Sequence, residues 1–243
     1  MRVTLVQYAP VWEDRPANRE RIAALLAGLS TDWIVLPEMA LSGFTMNQTA
    51  STWGAEDYRL FEELARDRGC VITVGAVRDS HNTALVFGPD GSILSTYAKR
   101  HLFGFSDENR HYMPGSRRAA YAVGALRVSQ AVCYDLRFPN HFWPEAEDTD
   151  AYCVIAAWGG ARSEHWKTLL RARAIENQAF VIGVNRIGAE PGVDYSGDSA
   201  LIDPQGRTLL DCGAKEGAFT AEIDPAEVGR WRAAFPALKD RRQ

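Results

Sequence analysis

Apolar and polar positions alternate along this chain in blocks that predict strand, helix, strand. Residues 3–8 form an apolar run that Pro10 breaks, the pattern of a strand. Ile22, Leu25, Leu26 and Leu29 then recur at i, i+3, i+4 and i+7, one face of a helix. A second strand, residues 33–36, stops at Pro37. Residues 58–66 place Phe61, Leu64 and Ala65 on one helical face, and residues 70–77 read as the next strand. Residues 82–87 and 92–97 flank Pro89-Asp90-Gly91. That proline presets φ and that glycine tolerates positive φ, so a hairpin is expected and the sheet is mixed.

The second half follows the same grammar, with strands at 126–132 and 152–156, a helix at 163–178, a strand at 180–185 and a further hairpin. Thr83-Ala84-Leu85-Val86 before Pro89-Asp90-Gly91 is matched by Ser199-Ala200-Leu201-Ile202 before Pro204-Gln205-Gly206. Two origins fit that match: two related β-α-β-β halves, or one turn chemistry used twice. If the halves are related, two mixed sheets packed face to face with helices outside become the natural architecture. No glycine- or serine-rich linker separates them, so residues 1–243 read as a single domain. Residues 225–243 begin as a helix and end in Lys239-Asp240-Arg241-Arg242, a solvated tail.

Composition narrows the class. Twenty-seven Lys plus Arg against 31 Asp plus Glu give a net charge of −4, and no basic face is set up for a phosphate backbone. The 46% apolar and 24% charged fractions are those of a globular chain. Cys70, Cys133, Cys153 and Cys212 form no C-x-x-C pair and read as reduced thiols. With no long uncharged run and no leader pattern, neither a membrane nor a secretory destination is expected, which leaves the cytoplasm.

Three residues stand where an apolar strand gives way to polar sequence: Glu38 after Pro37, Lys99 after the first hairpin, and Cys133 after residues 126–132. A carboxylate in reach of a thiol can take its proton as general base. A nearby ammonium favours thiolate and can donate to the oxyanion of a tetrahedral intermediate, together with the N–H of Tyr134. Acyl transfer through a thioester is the coherent chemistry. Taken singly, each residue has a plainer reading as core filler or solvated charge.

Leu36-Pro37-Glu38, Lys99-Arg100-His101-Leu102-Phe103 and Cys133-Tyr134-Asp135-Leu136-Arg137-Phe138-Pro139 together resemble the three signatures of the nitrilase superfamily of carbon–nitrogen hydrolases, in the same order. The similarity extends through residues 171–178, Asn185-Arg186-Ile187-Gly188 and Gly197-Asp198-Ser199. It implies an α/β fold, a four-layer α-β-β-α sandwich with two mixed β-sheets, in a homodimer or larger homo-oligomer. No cofactor and no metal are implied. Glu38 would be base and then acid, Lys99 the oxyanion donor, Cys133 the nucleophile, and Glu108 a second carboxylate that orients Lys99 and the attacking water.

Within the superfamily, Met39 to Phe44, the lysine motif and the segment from Trp158 to Trp166 look most like the omega-amidase branch. Those enzymes hydrolyse the terminal amide of 2-oxoglutaramate or 2-oxosuccinamate to the keto acid and ammonia. Besides further copies of itself, the partner expected is thus a small-molecule amide, with no nucleic acid and no membrane. Such a substrate carries a carboxylate, for which Arg162 is the candidate cation, and Phe44, Phe103 and Trp158 are candidate pocket walls. Asp135 and Arg137 are expected to pair with buried charges and fix the nucleophile loop; Glu176 and Asn177 are expected behind the site or at an interface. Relatives often carry asparagine where Ala157 stands, which bears on the local hydrogen bonding and the exact substrate. The five histidines show no metal-ligand spacing, although His101 and His111 fall near the lysine loop, at the mouth of the site. The same triad would serve an N-carbamoyl amino acid hydrolase, an aliphatic amidase or a nitrilase. From another class, a non-catalytic binding or redox-sensing relative would keep the scaffold.

Overall fold

The computed structural model describes residues 1–242. In chain order the elements are β1 (Arg2–Gln7), α1 (Arg15–Leu25), β2 (Trp33–Val35), α2 (Gln48–Ser51), α3 (Ala55–Arg68), β3 (Val71–Arg78), β4 (His81–Phe87) and β5 (Ile93–Ala98). Then come α4 (Glu108–His111), β6 (Ala120–Val123), β7 (Leu126–Val132), α5 (Pro139–Phe142), β8 (Ala151–Ala156), α6 (Ser163–Asn177) and β9 (Phe180–Asn185). The chain closes with β10 (Ile187–Glu190), β11 (Val193–Ser196), β12 (Ala200–Ile202), β13 (Thr208–Asp211), β14 (Gly217–Glu222) and α7 (Glu227–Ala234).

Two six-stranded sheets repeat one plan. The first runs β14-β1-β2-β3-β4-β5 and the second β6-β7-β8-β9-β12-β13. In each, three central strands are parallel, β1-β2-β3 and β7-β8-β9, and the remaining pairings are antiparallel. The matching plan favours two related halves over a turn chemistry used twice. Period-two alternation explains the layering. Val3, Leu5, Trp33 and Val35 face the second sheet, whereas Val6, Ile34 and Leu36 meet Ile22, Leu26, Phe61 and Ala65 of α1 and α3. Trp166, Leu170 and Ala174 of α6 pack with the core of the second sheet. The result is the α-β-β-α sandwich.

Boundaries shift where caps decide them. Asp14 accepts from Ala17 N at the start of α1, which ends at Leu25 without reaching Leu29. Gln178 takes a left-handed φ and closes α6 at Asn177. The β10–β11 hairpin is absent from the sequence reading: its strands are four residues each and largely exposed, so no apolar alternation marks them. The charged C-terminal stretch is also less solvated than expected. Leu238 is buried, and Arg241 lies 4.6 Å over the Trp143 ring and 3.7 Å from Glu147. Gln243 lies outside the described residues. Among the described residues no helix is long and apolar enough to cross a membrane.

Candidate active site

The ends of β2, β5 and β7 converge, and with them Glu38, Lys99 and Cys133. Each position has a local cause. After β2, Pro37 ends pairing and Met39 turns at φ 44°, while the backbone of Gly75 in β3 closes on the segment through Gly75 N to Pro37 O, 3.1 Å, and Ala40 N to Gly75 O, 3.0 Å. A Cβ at residue 75 would stand 2.4 Å from Glu38 Cα, so only glycine lets the two chains approach. Cys133 opens a single 3-10 turn, Cys133–Arg137, at φ 48°. Such a strained conformation persists where surrounding contacts over-determine it. Here Asp135 bonds back to Val132 N at 3.0 Å, and Arg173 of α6 donates to Leu136 O at 2.8 Å.

Lys99 Nζ donates to Glu38 Oε1 at 2.8 Å and to Glu108 at 2.9 and 3.1 Å, with all three side chains fully buried. Asn82 Nδ2 reaches the same two carboxylates, 2.6 Å to Glu38 Oε1 and 2.7 Å to Glu108 Oε1. Glu108 also accepts from Phe103 N at 2.6 Å, which places the loop that carries Phe103. The other oxygen of Glu38 accepts from Ala157 N at 2.7 Å, and the Cys133 thiol points at Ala157 O, 3.8 Å away. The Ala157 peptide therefore touches both acid and thiol, a role that needs no particular side chain at 157. Asn185 supplies the amide group there instead, accepting from Trp158 N and donating to Trp158 O and Gly197 O.

Burial would lower the pKa of Lys99, but Glu108 and Glu38 outweigh it and raise it, so the lysine is a fixed cation. Burial and the Glu38 charge push the Cys133 thiol well up, and Lys99 only partly opposes them. The shift favours the neutral thiol, so attack by this sulfur calls for a base within reach.

A pocket opens on Cys133, lined among others by Phe44, Phe103, Tyr134, Trp158 and Arg162. Val193 and Tyr195 of the unforeseen β10–β11 hairpin complete the wall. Arg137 lines it too, which corrects its expected pairing with a buried charge. Its guanidinium lies 4.7 Å over the Trp158 ring with Nη2 3.1 Å from His165 Nδ1, and that of Arg162 lies 5.4 Å over Phe103. Among the described residues no carboxylate pairs with either.

Asp135 fixes the loop as expected. Tyr97 Oη donates to it at 2.7 Å, and His101 N and Nδ1 donate at 3.0 and 2.7 Å. Burial would raise its pKa, but these bonds lower it. His101 is thus held away from the pocket mouth, and His111 does not line it either. His101, Asp135 and His141 bring possible metal-ligand atoms within 4.8 Å, a convergence that spacing concealed. Both Asp135 oxygens are already taken, however, and His141 bonds through Nε2 to Gln130 O at 2.9 Å while burial lowers its pKa, so the carboxylate of this set is committed to the loop. Glu176 and Asn177 stand behind the site, bonded to Arg173.

The sandwich and the buried acid, lysine and thiol define a carbon–nitrogen hydrolase, and the family model for carbon–nitrogen hydrolases matches residues 2–233: the chain belongs to that family. It is 38% identical to omega-amidase YafV of Escherichia coli K12 across 99% of this chain and 96% of that protein. It is 34% identical to the 2-oxoglutaramate amidase of Bacillus subtilis across 87% and 85% of the two chains. Among solved structures, XC1258 from Xanthomonas campestris, a CN-hydrolase superfamily protein with an arsenic adduct in its active site, matches with a TM-score of 0.95 at 36% identity, covering 100% of this chain and 97% of that one. The protein is an enzyme, a hydrolase acting on carbon–nitrogen bonds.

Proposed function

We propose that the enzyme is an omega-amidase that releases ammonia from 2-oxoglutaramate or 2-oxosuccinamate through a thioester on Cys133. The observation that carries this choice of substrate is the pair of guanidiniums, Arg137 and Arg162, which share the pocket with the thiol and have no carboxylate of their own. Stacked on aromatic faces, they keep N–H edges available to a substrate carboxylate. A neutral aliphatic amide would have no use for them. The naming of the relatives from Escherichia coli and Bacillus subtilis agrees.

In this mechanism Glu38 takes the thiol proton as Sγ bonds to the amide carbon. The carbonyl oxygen becomes an oxyanion that Lys99 Nζ and Tyr134 N–H receive. Glu38 returns the proton to the nitrogen, the C–N bond breaks and ammonia leaves. Water then adds to the thioester, giving its proton to Glu38, and the C–S bond breaks to yield the acid and the thiol. Glu108 holds Lys99 in place throughout. The reading extends to a homodimer or larger assembly, for which the exposed Ile175 and Phe235 offer apolar surface and whose mass sedimentation measures.

Ammonia release from the two keto-amides, glutamine, propionamide and an N-carbamoyl amino acid tests the reading. Keto-amides should be preferred. Arg137→Ala and Arg162→Ala should each raise KM for them by about 10- to 100-fold, the scale of a charge-assisted hydrogen bond, with propionamide unaffected. Equal turnover of propionamide, or unchanged KM in both variants, would remove the keto-acid assignment.

A further inference from the structure

Asn82 is the second residue of β4, and no part of the triad chemistry assigns it a role. Its side chain is fully buried. One amide nitrogen serves both acids, at 2.6 Å from Glu38 and 2.7 Å from Glu108, while its backbone oxygen accepts from Lys99 N at 2.8 Å. The amide oxygen, Oδ1, is buried with no partner. A primary amide has two N–H groups and one oxygen, and here both donors are spent on carboxylates at the cost of the acceptor. That trade makes sense only if the two acids need the donors. Glu38 and Glu108 each bring an oxygen to the same lysine nitrogen, so two negative groups face one cation, and a hydrogen bond to a carboxylate favours its charged form.

We infer that Asn82 is a positioning residue of the hydrolysis, whose two N–H groups hold Glu38 and Glu108 as a facing pair of carboxylates and keep Glu38 aimed for the thiol proton. The inference rests on the reading of Glu38 as the base. The other titratable groups around the pair are few. Lys99 from the end of β5 and the Cys133 thiol after β7 close the site. Tyr112, after α4, is raised to about 12 by burial, and burial likewise raises Tyr195 of β11, so both phenols stay neutral in the working range. His81, next to Asn82, turns its ring to Asp79 O.

The test is the pH profile of kcat/KM for ammonia release by Asn82→Leu and the isosteric Asn82→Asp, with thermal melting alongside. Without the donors the carboxylate pair takes up a proton more readily. The acidic limb should therefore move up by about one unit in Asn82→Leu and at least as far in Asn82→Asp, a tenfold loss for each unit on that limb. Activity should recover towards the alkaline side. A profile that superimposes on the wild type after uniform scaling, or loss of fold in both variants, would make Asn82 structural and overturn the inference. Glu38→Gln in the same assay separates the two ideas. If it stays active, the base assignment fails; if it is dead while the Asn82 profiles do not move, only the role of Asn82 fails.

Discussion

Replacing Lys99 with methionine separates two jobs done by one ammonium. In the native site two carboxylates against one ammonium leave a single net negative charge in a fully buried cluster. Lys99→Met keeps the volume and removes the cation. Breaking a buried ion pair from one side costs about 3–5 kcal/mol, and at about 2–4 °C per kcal/mol for a chain of this size the melting temperature should fall by roughly 6–20 °C. The loss depends on pH. With no cation, one carboxylate takes up a proton in the folded state, so its folded pKa lies above the unfolded value; the fold then binds more protons than the unfolded chain, and stability falls as pH rises. The deficit against the wild type should be smaller at pH 5 than at pH 8. Lys99 itself adds no such slope in that range, because its raised pKa keeps it charged well past 10.5. Separately, single-turnover acylation should slow by about 10²–10³-fold, the effect of losing an oxyanion donor. The double variant Lys99→Met/Glu108→Gln restores the net charge without restoring the donor. It should regain much of the melting temperature and none of the rate. If acylation in the double variant returns to within tenfold of the wild type, Lys99 is a counterion only and the oxyanion assignment is refuted.

Cys133→Ser should bring ammonia release to background while leaving the melting temperature within about 2 °C, since the swap is near-isosteric and most such changes cost little; measurable turnover with the keto-amides would end the thioester mechanism. Gly75→Ala drives a Cβ to 2.4 Å from Glu38 Cα, and overpacking of this kind costs about 1–3 kcal/mol. Activity should fall further than the melting curve alone accounts for, because the displaced atom belongs to the backbone of the base; full activity in a folded variant would show that the approach of β3 to Glu38 is dispensable.

The legible part of this protein is the part that repeats a period or ends one. Trp33, Val35, Ile34 and Leu36 announce a strand buried on both faces, and the Pro37 stop places Glu38 beyond it. Cys133 and Lys99 are visible for the same reason, as polar residues at the close of apolar runs. Glu108 is reached only through the family resemblance, and the structure places it against Lys99. What stayed hidden has no period. The β10–β11 hairpin has four-residue, largely exposed strands, yet it brings Tyr195 and Val193 to the pocket and Glu190 to Arg186. Asn82 looks like an ordinary polar residue at a strand start until its amide is seen between two acids 26 and 44 positions away. The Ala157 contacts were hidden for a related reason: they are made by backbone N and O, which leave no mark in a sequence.

Arg137 shows why charge is hard to assign from sequence. Beside the nucleophile, an arginine next to Asp135 is naturally read as pairing with a buried charge elsewhere. In the fold Asp135 is saturated by Tyr97, His101 and Val132, and Arg137 turns instead to the Trp158 ring. The consequence reaches the chemistry. A cluster with one net negative charge at its base repels an anionic substrate, and an acidic protein surface does nothing to help. Two guanidiniums in the pocket reverse the local sign, and resting on aromatic rings keeps them from collapsing onto Glu38 or Glu108. A substrate bearing one carboxylate then brings the whole site to neutrality as it docks, with its amide at the thiol. A neutral amide would leave an excess positive charge in the pocket, so the selectivity proposed for the keto-amides follows from the balance of charge as well as from shape.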